Sequence, residues 1–75
     1  MKELTIKIDT INGVKKFVNT VSKYEYDVDI ISGRYAIDAK SIMGLFSIDL
    51  SKEVTMKIHS DDCGDLLAEV KEFSV

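Results

Sequence analysis

Ser41 stands directly before an apolar run, Ile42-Met43-Gly44-Leu45-Phe46, with Lys40 on its other side. A serine there offers its hydroxyl to the unpaired N–H groups of a first helical turn, and the same place suits a phosphate. Ser41 therefore reads as a helix cap and as a candidate regulatory phosphorylation site. Two buried faces are open to the short helix that follows: Ile42, Leu45 and Phe46, or Met43, Phe46 and Leu50. Not all of these can point inward at once, so at least one apolar side chain is expected outside. An exposed Met43 or Phe46 would make an adaptable partner surface. Lys15, Lys16 and Lys40 are solvated charges or, if clustered beside this helix, partners for acids or for a phosphate on Ser41.

Other chemistry is sparse. His59 is the only histidine and Cys63 the only cysteine, so no internal disulfide or thiol pair can form, and Cys63 is expected as a small buried or helix-start residue. Asp61, Asp62 and Asp65 form an acidic cluster that helix-start electrostatics explains without a metal ion. No cofactor is expected. Net charge is −3 with few, scattered aromatic residues, which disfavours nucleic acid as a direct ligand. Charge is uneven, with five lysines against two acids in residues 1–24 and five basic residues against eleven acids in residues 25–75. Such asymmetry can steer an acidic partner toward the first helix.

These residues need elements to hold them. The chain has 75 residues, 45% of them hydrophobic, no proline and no internal repeat, which predicts one domain over residues 1–75. No apolar stretch reaches the roughly eighteen residues of a membrane span, and the charged start does not resemble a signal peptide, so a cytoplasmic protein is expected. Leu4, Ile6 and Ile8 alternate as in a strand. Ile11, Val14, Phe17, Val18 and Val21 recur at helical spacing, predicting an amphipathic helix over about residues 12–23 capped by Thr10 or Asn12. Val28 and Ile30, the turn Ser32-Gly33-Arg34, then Tyr35, Ile37 and Ala39 predict a hairpin with Gly33 left-handed. Val54, Met56 and Ile58 predict a further strand. Leu66, Leu67, Val70 and Phe73 predict a last helix opened by Ser60, Asp61 and Asp62. The order βαββαβα implies an α+β two-layer sandwich, a four-stranded antiparallel sheet with three helices on one face. Its core is expected from Leu4, Ile6, Phe17, Val18, Ile30, Ile37, Val54, Ile58, Leu66 and Val70.

Ser22-Lys23-Tyr24, Asp27-Val28 and above all Lys40-Ser41-Ile42-Met43-Gly44 through Ser47 resemble HPr, the histidine-containing phosphocarrier family of the bacterial sugar phosphotransferase system. The resemblance implies the open-faced HPr sandwich, with Ser41 at the position phosphorylated by a dedicated kinase in many Gram-positive bacteria. It places Ile42, Met43 and Phe46 where the family presents an apolar docking patch. The family's Gly-x-His-Ala-Arg-Pro loop should follow the first strand, but the chain reads Asp9-Thr10-Ile11-Asn12-Gly13-Val14, about three residues short. A carrier needs an imidazole that accepts and releases phosphoryl at a helix start, which neither a hydroxyl nor an amide replaces. His59, at the end of a strand, is expected to be structural or at the surface.

The resulting expectation is a non-enzymatic regulatory or adaptor protein of phosphotransferase or carbon-catabolite control. By resemblance its partners are a serine kinase of HPr or a LacI-type transcription regulator. Two alternatives stay open, a degenerate carrier working through another residue and a bare interaction scaffold.

Overall fold

The computed structural model describes residues 1–49 and 51–75; Leu50, offered above as a buried position, lies outside the described residues. The elements are β1 (Lys2–Ile6), α1 (Ile11–Val21), β2 (Val28–Ser32), β3 (Tyr35–Asp38), α2 (Ile42–Phe46), β4 (Val54–Ile58) and α3 (Gly64–Glu69), followed by a single 3-10 turn, Lys71–Phe73. The strands form one antiparallel sheet in the order β1-β4-β2-β3. This is the expected order of elements and the expected α+β sandwich.

Alternation decides which face is covered. Val28 and Ile30 of β2 and Val54, Met56 and Ile58 of β4 are buried, while Asp29, Thr55 and Lys57 between them are only half-buried on the open face. α1 lays Val14, Phe17, Val18 and Val21 on the covered face, and Leu66 and Val70 close the core from α3. The Phe17 ring meets Phe73 edge-on, with centroids 5.6 Å apart and planes at 86°. Phe73 thus joins the core from the 3-10 turn and not from a helix.

Several expectations need correction. α1 begins at Ile11 and stops at Val21, where Ser22 caps it and donates its N–H to Val18 O at 2.9 Å. Leu4 and Ile37 are only partly buried: Ile37 sits on the edge strand β3, and Leu4 precedes the stretch, Thr5 to Lys7, that the C-terminal residues cover. Ile11 lies at the margin of the α1 stripe, in its first turn, and is 66% exposed. The acids before α3 do not cap it: Cys63, buried, holds the N-cap position without a side-chain bond, and Asp61 instead pairs with the N-terminal ammonium. That ion pair holds the Asp61 carboxyl below its ordinary value.

Gly33 has φ of 59° and is the first of two residues between the paired Ser32 and Tyr35, the place where a tight hairpin needs the left-handed region. A clasp then ties α1 to α3. Lys23 Nζ and the Tyr24 hydroxyl both donate to the Glu69 carboxylate at 2.9 Å, and Tyr24 stacks on Tyr26. The Lys23 hydrogen bond holds Glu69 below the usual carboxylate range. Desolvation first, then the bond to Glu69, pushes the Tyr24 phenol up to about 12.

Two outcomes follow for stability. Truncating Phe17 to alanine opens a cavity at the centre of the core and should cost about 3–5 kcal/mol, read as a fall in the denaturant midpoint. Glu69, with its folded value depressed, contributes stability that is present above its unfolded value and is lost as pH falls through the folded one. Wild type should therefore lose stability below about pH 5, and Glu69→Gln should lose less over the same window, checked by denaturation at stepped pH.

Candidate functional site

The turn after β3 aims Ser41 at solvent. Asp38 receives two N–H groups at 2.9 Å, Lys40 N on its carboxylate and Ser41 N on its carbonyl, and this folds the chain back over the covered face. Ser41 is then extended, with φ −98° and ψ 102°, and its Oγ accepts Gly44 N–H at 3.2 Å while its carbonyl accepts Leu45 N–H at 3.1 Å. It is an N-cap with an exposed hydroxyl.

Five helical residues cannot bury every apolar side chain. Leu45 enters the core, Ile42 packs partly against it, and Met43 and Phe46 face out at 77% and 42% exposure. Met43 and Phe46 are three apart and share one side of the helix. Gly44 explains how α2 lies so low: a Cβ there would fall 2.7 Å from Ile37 Cγ2 on β3, so a larger residue would lift the helix off the sheet.

The start of α1 faces the end of α2. Thr10 caps α1 with φ −132° and ψ 153°, its Oγ1 accepting Gly13 N–H at 2.9 Å, as Ser41 caps α2. Asp9, Thr10, Ile11, Phe46 and Ser51 line an open cavity of about 230 Å³ between the two elements. Ile11, Phe46 and Met43 thereby form an exposed apolar surface spanning two helices. Ile11 was read above as part of the helical spacing of α1, outside the expected core, and not as a partner-surface residue; its place at the very start of that helix was the signal that it could face out.

The three lysines are not brought together. Lys15, four residues from Ile11, flanks the apolar surface and makes no ion pair among the described residues. Lys16 pairs with Glu72 at 2.9 Å. Lys40 reaches back to the Tyr24 carbonyl at 2.7 Å, a partly buried bond that binds the approach to α2 to the end of α1.

His59 belongs to a different place. Its N–H donates to Asp27 O at 2.9 Å, extending the β4 ladder, and its parity with Lys57 puts it on the open face of the sheet. Its Nε2 lies 2.7 Å from Asp29 Oδ2, in a shallow acidic depression with Asp27 and Asp38. β1 ends at Ile6 opposite Val54, so α1 starts at the other end of β4, about 17 Å along the strand from His59. Among the described residues no group of three or more His, Cys, Asp or Glu side chains is placed to hold a metal ion, and no helix is long and apolar enough to cross a membrane.

Comparison with known proteins places this geometry. A crystal structure of HPr-C-His from Thermoanaerobacter tengcongensis superposes with a TM-score of 0.81 at 28% identity, covering 96% of this chain and 89% of that one. The histidine-containing phosphocarrier protein of a mycoplasma shares the fold, with a TM-score of 0.77 at 19% identity, covering 95% of this chain and 89% of that one. The phosphocarrier protein HPr of Bacillus anthracis does so with 0.69 at 20%, covering 99% of this chain and 94% of that one. The family described as the PTS HPr component phosphorylation site matches residues 11–74, beginning at the first residue of α1. With a match over so much of its length and the open-faced sandwich to go with it, the chain belongs to the HPr family.

Proposed function

We propose that this HPr-family chain is a regulatory or adaptor protein that binds protein partners in the cytoplasm through Ile11, Met43 and Phe46, is tuned by phosphorylation of Ser41, and does not itself relay phosphate. The observation that carries this reading is the separation of its one histidine from the start of α1. A phosphoryl acceptor needs an imidazole with cationic support for the incoming charge. His59 Nε2 instead faces the Asp29 carboxylate at 2.7 Å, and Asp27 and Asp38 line the same depression. Those charges repel a phosphoryl group. At the start of α1 the hydroxyl of Thr10 caps the helix, and a phosphate ester formed there would be too stable to pass on.

The partner surface supports the other half of the reading. Met43 and Phe46 stay exposed while their neighbour Leu45 is buried, so the apolar groups facing solvent are surplus to the core. Ser41 stands at the edge of that surface with its hydroxyl accessible. A phosphate there would add roughly −1.5 to −2 charges and three strong acceptors beside Met43. α2 has only five residues, so the added charge acts chiefly on what docks. A serine kinase of HPr and a LacI-type regulator are the partners the family suggests. Ser41, Lys40, Ile42, Met43 and Phe46 would make the contact, with Lys15 at its rim; Lys16 is drawn off toward Glu72.

Incubated with Enzyme I and labelled phosphoenolpyruvate, the protein should take up no acid-labile phosphate; label on His59 would revive the carrier reading. Binding to a LacI-type regulator, measured by calorimetry, should weaken by about 2 kcal/mol or more when Met43 and Phe46 are both changed to alanine. Ser41→Ala should abolish any gain in affinity produced by the serine kinase and ATP while leaving the fold intact. Equal affinities for wild type and both variants would leave only a bare scaffold.

A further inference from the structure

The sheet has two edges, and the chain closes only one of them. Along β1, Lys7 N–H donates to Phe73 O at 2.9 Å, Val75 N–H donates to Thr5 O at 3.1 Å, and Ile6 bridges to Ser74. The other edge is β3, and among the described residues no other segment pairs with its outer side. Open edges are templates for further strands unless shortness, charge, proline or a bulge blocks them. Tyr35-Ala36-Ile37-Asp38 is short but has no proline and no lysine, and its one charge, Asp38, lies at its end.

Backbone direction along β3 follows from one bond. Ala39 N–H donates to Val28 O at 2.9 Å, so Ala39, Ile37 and Tyr35 turn their polar backbone toward β2, and Ala36 and Asp38 turn theirs outward. The side chains alternate as well. Ile37 lies against α2 through Gly44, on the helix side, whereas Asp38 joins Asp29 and His59 on the open face.

We propose that the β3 edge binds a second copy of this chain, β3 against β3, antiparallel about a two-fold axis at Ala36. The sequence Arg34-Tyr35-Ala36-Ile37-Asp38 is complementary to itself in this register. Ala36 meets Ala36 of the second copy with both outward N–H and C=O groups matched. Arg34 stands opposite Asp38 of the second copy at each end, and Tyr35 opposite Ile37 of the second copy on the helix side. That contact covers the Tyr35 ring, which is 70% exposed in the single chain. A shift of one residue would call on the Ile37 backbone, which is committed to β2, and a shift of two would separate both charge pairs. The product is one continuous eight-stranded sheet. Charge complementarity selects a second copy over an unrelated strand.

Sedimentation velocity over a hundredfold concentration range should show the 8.4 kDa chain doubling in mass as concentration rises. Ala36→Pro removes an outward N–H without touching the bonds to β2, and it should hold the protein monomeric with its circular dichroism unchanged. Arg34→Asp and Asp38→Arg should each weaken self-association about tenfold. An equimolar mixture of the two variants should restore it, because every pair then joins opposite charges. A wild type that stays monomeric throughout, a dimer indifferent to both charge reversals, or a mixture no tighter than its components would overturn the proposal. Since the charge variants do not depend on how Ala36→Pro folds, the test stands even if that variant is unstable.

Discussion

Val28, Ile30, Val54, Met56 and Ile58 present one continuous apolar face, and α1 has to lie on it because Val14, Phe17, Val18 and Val21 have no other way to leave water. In so small a domain there is no second core to share the load, and no polar or charged residue is buried among the described residues. The sheet is thereby divided into a dry side and a wet side. Lys57, Asp29 and Asp38 on the strands and His59 just past β4 fall on the wet side, while the capped helix starts at Thr10 and Ser41 rise from the other. His59 is kept away from the start of α1 by that division and by the length of β4.

α2 is a short helix with a single buried anchor. One residue, Leu45, fixes it from below, Ile42 helps at the side, and Gly44 lets it approach Ile37 closely. The same shortness that limits its burial pushes Met43 and Phe46 outward. The exposed apolar side chains and the marginal packing of α2 therefore share a cause. Lys40, tied to the Tyr24 carbonyl, joins this helix start to the clasp of Lys23, Tyr24 and Glu69, so α2 is steadied from its N-terminal side by the end of α1 and, through it, by α3.

Elements with strong periodicity were legible from the chain. The Leu4–Ile6 alternation, the Val14–Val21 stripe, the Gly33 turn and the Ser41 cap all appear where residue types placed them, while Ile8, expected in the same strand, is buried beyond the end of β1. What periodicity could not supply was lateral position in the sheet. Leu4 and Ile37 have apolar phase but are only partly buried, and Ile11 has helical spacing but lies at the margin of its stripe. Met43 and Phe46 could be named as competitors for burial, but Leu45 is the residue that wins, and a five-residue helix carries too little pattern to decide that in advance. The acids before α3 looked like caps; Asp61 went to the N-terminal ammonium, a pairing across the whole chain that local reading does not reveal. Two of the three lysines were similarly drawn off, Lys16 by Glu72 and Lys40 by the Tyr24 carbonyl.

The account stands on a division of labour between two faces, a partner surface beside Ser41 and a structural histidine on the other side of the sheet. Amide chemical shifts of labelled protein, followed as a serine kinase of HPr and ATP are added, address both at once. The expected result is a single phosphate on Ser41, with shifts concentrated from Lys40 to Ser47 and at Thr10 and Ile11, and with His59, Asp29 and Asp27 unmoved. Modification elsewhere, or changes centred on His59 and the open face, would contradict it.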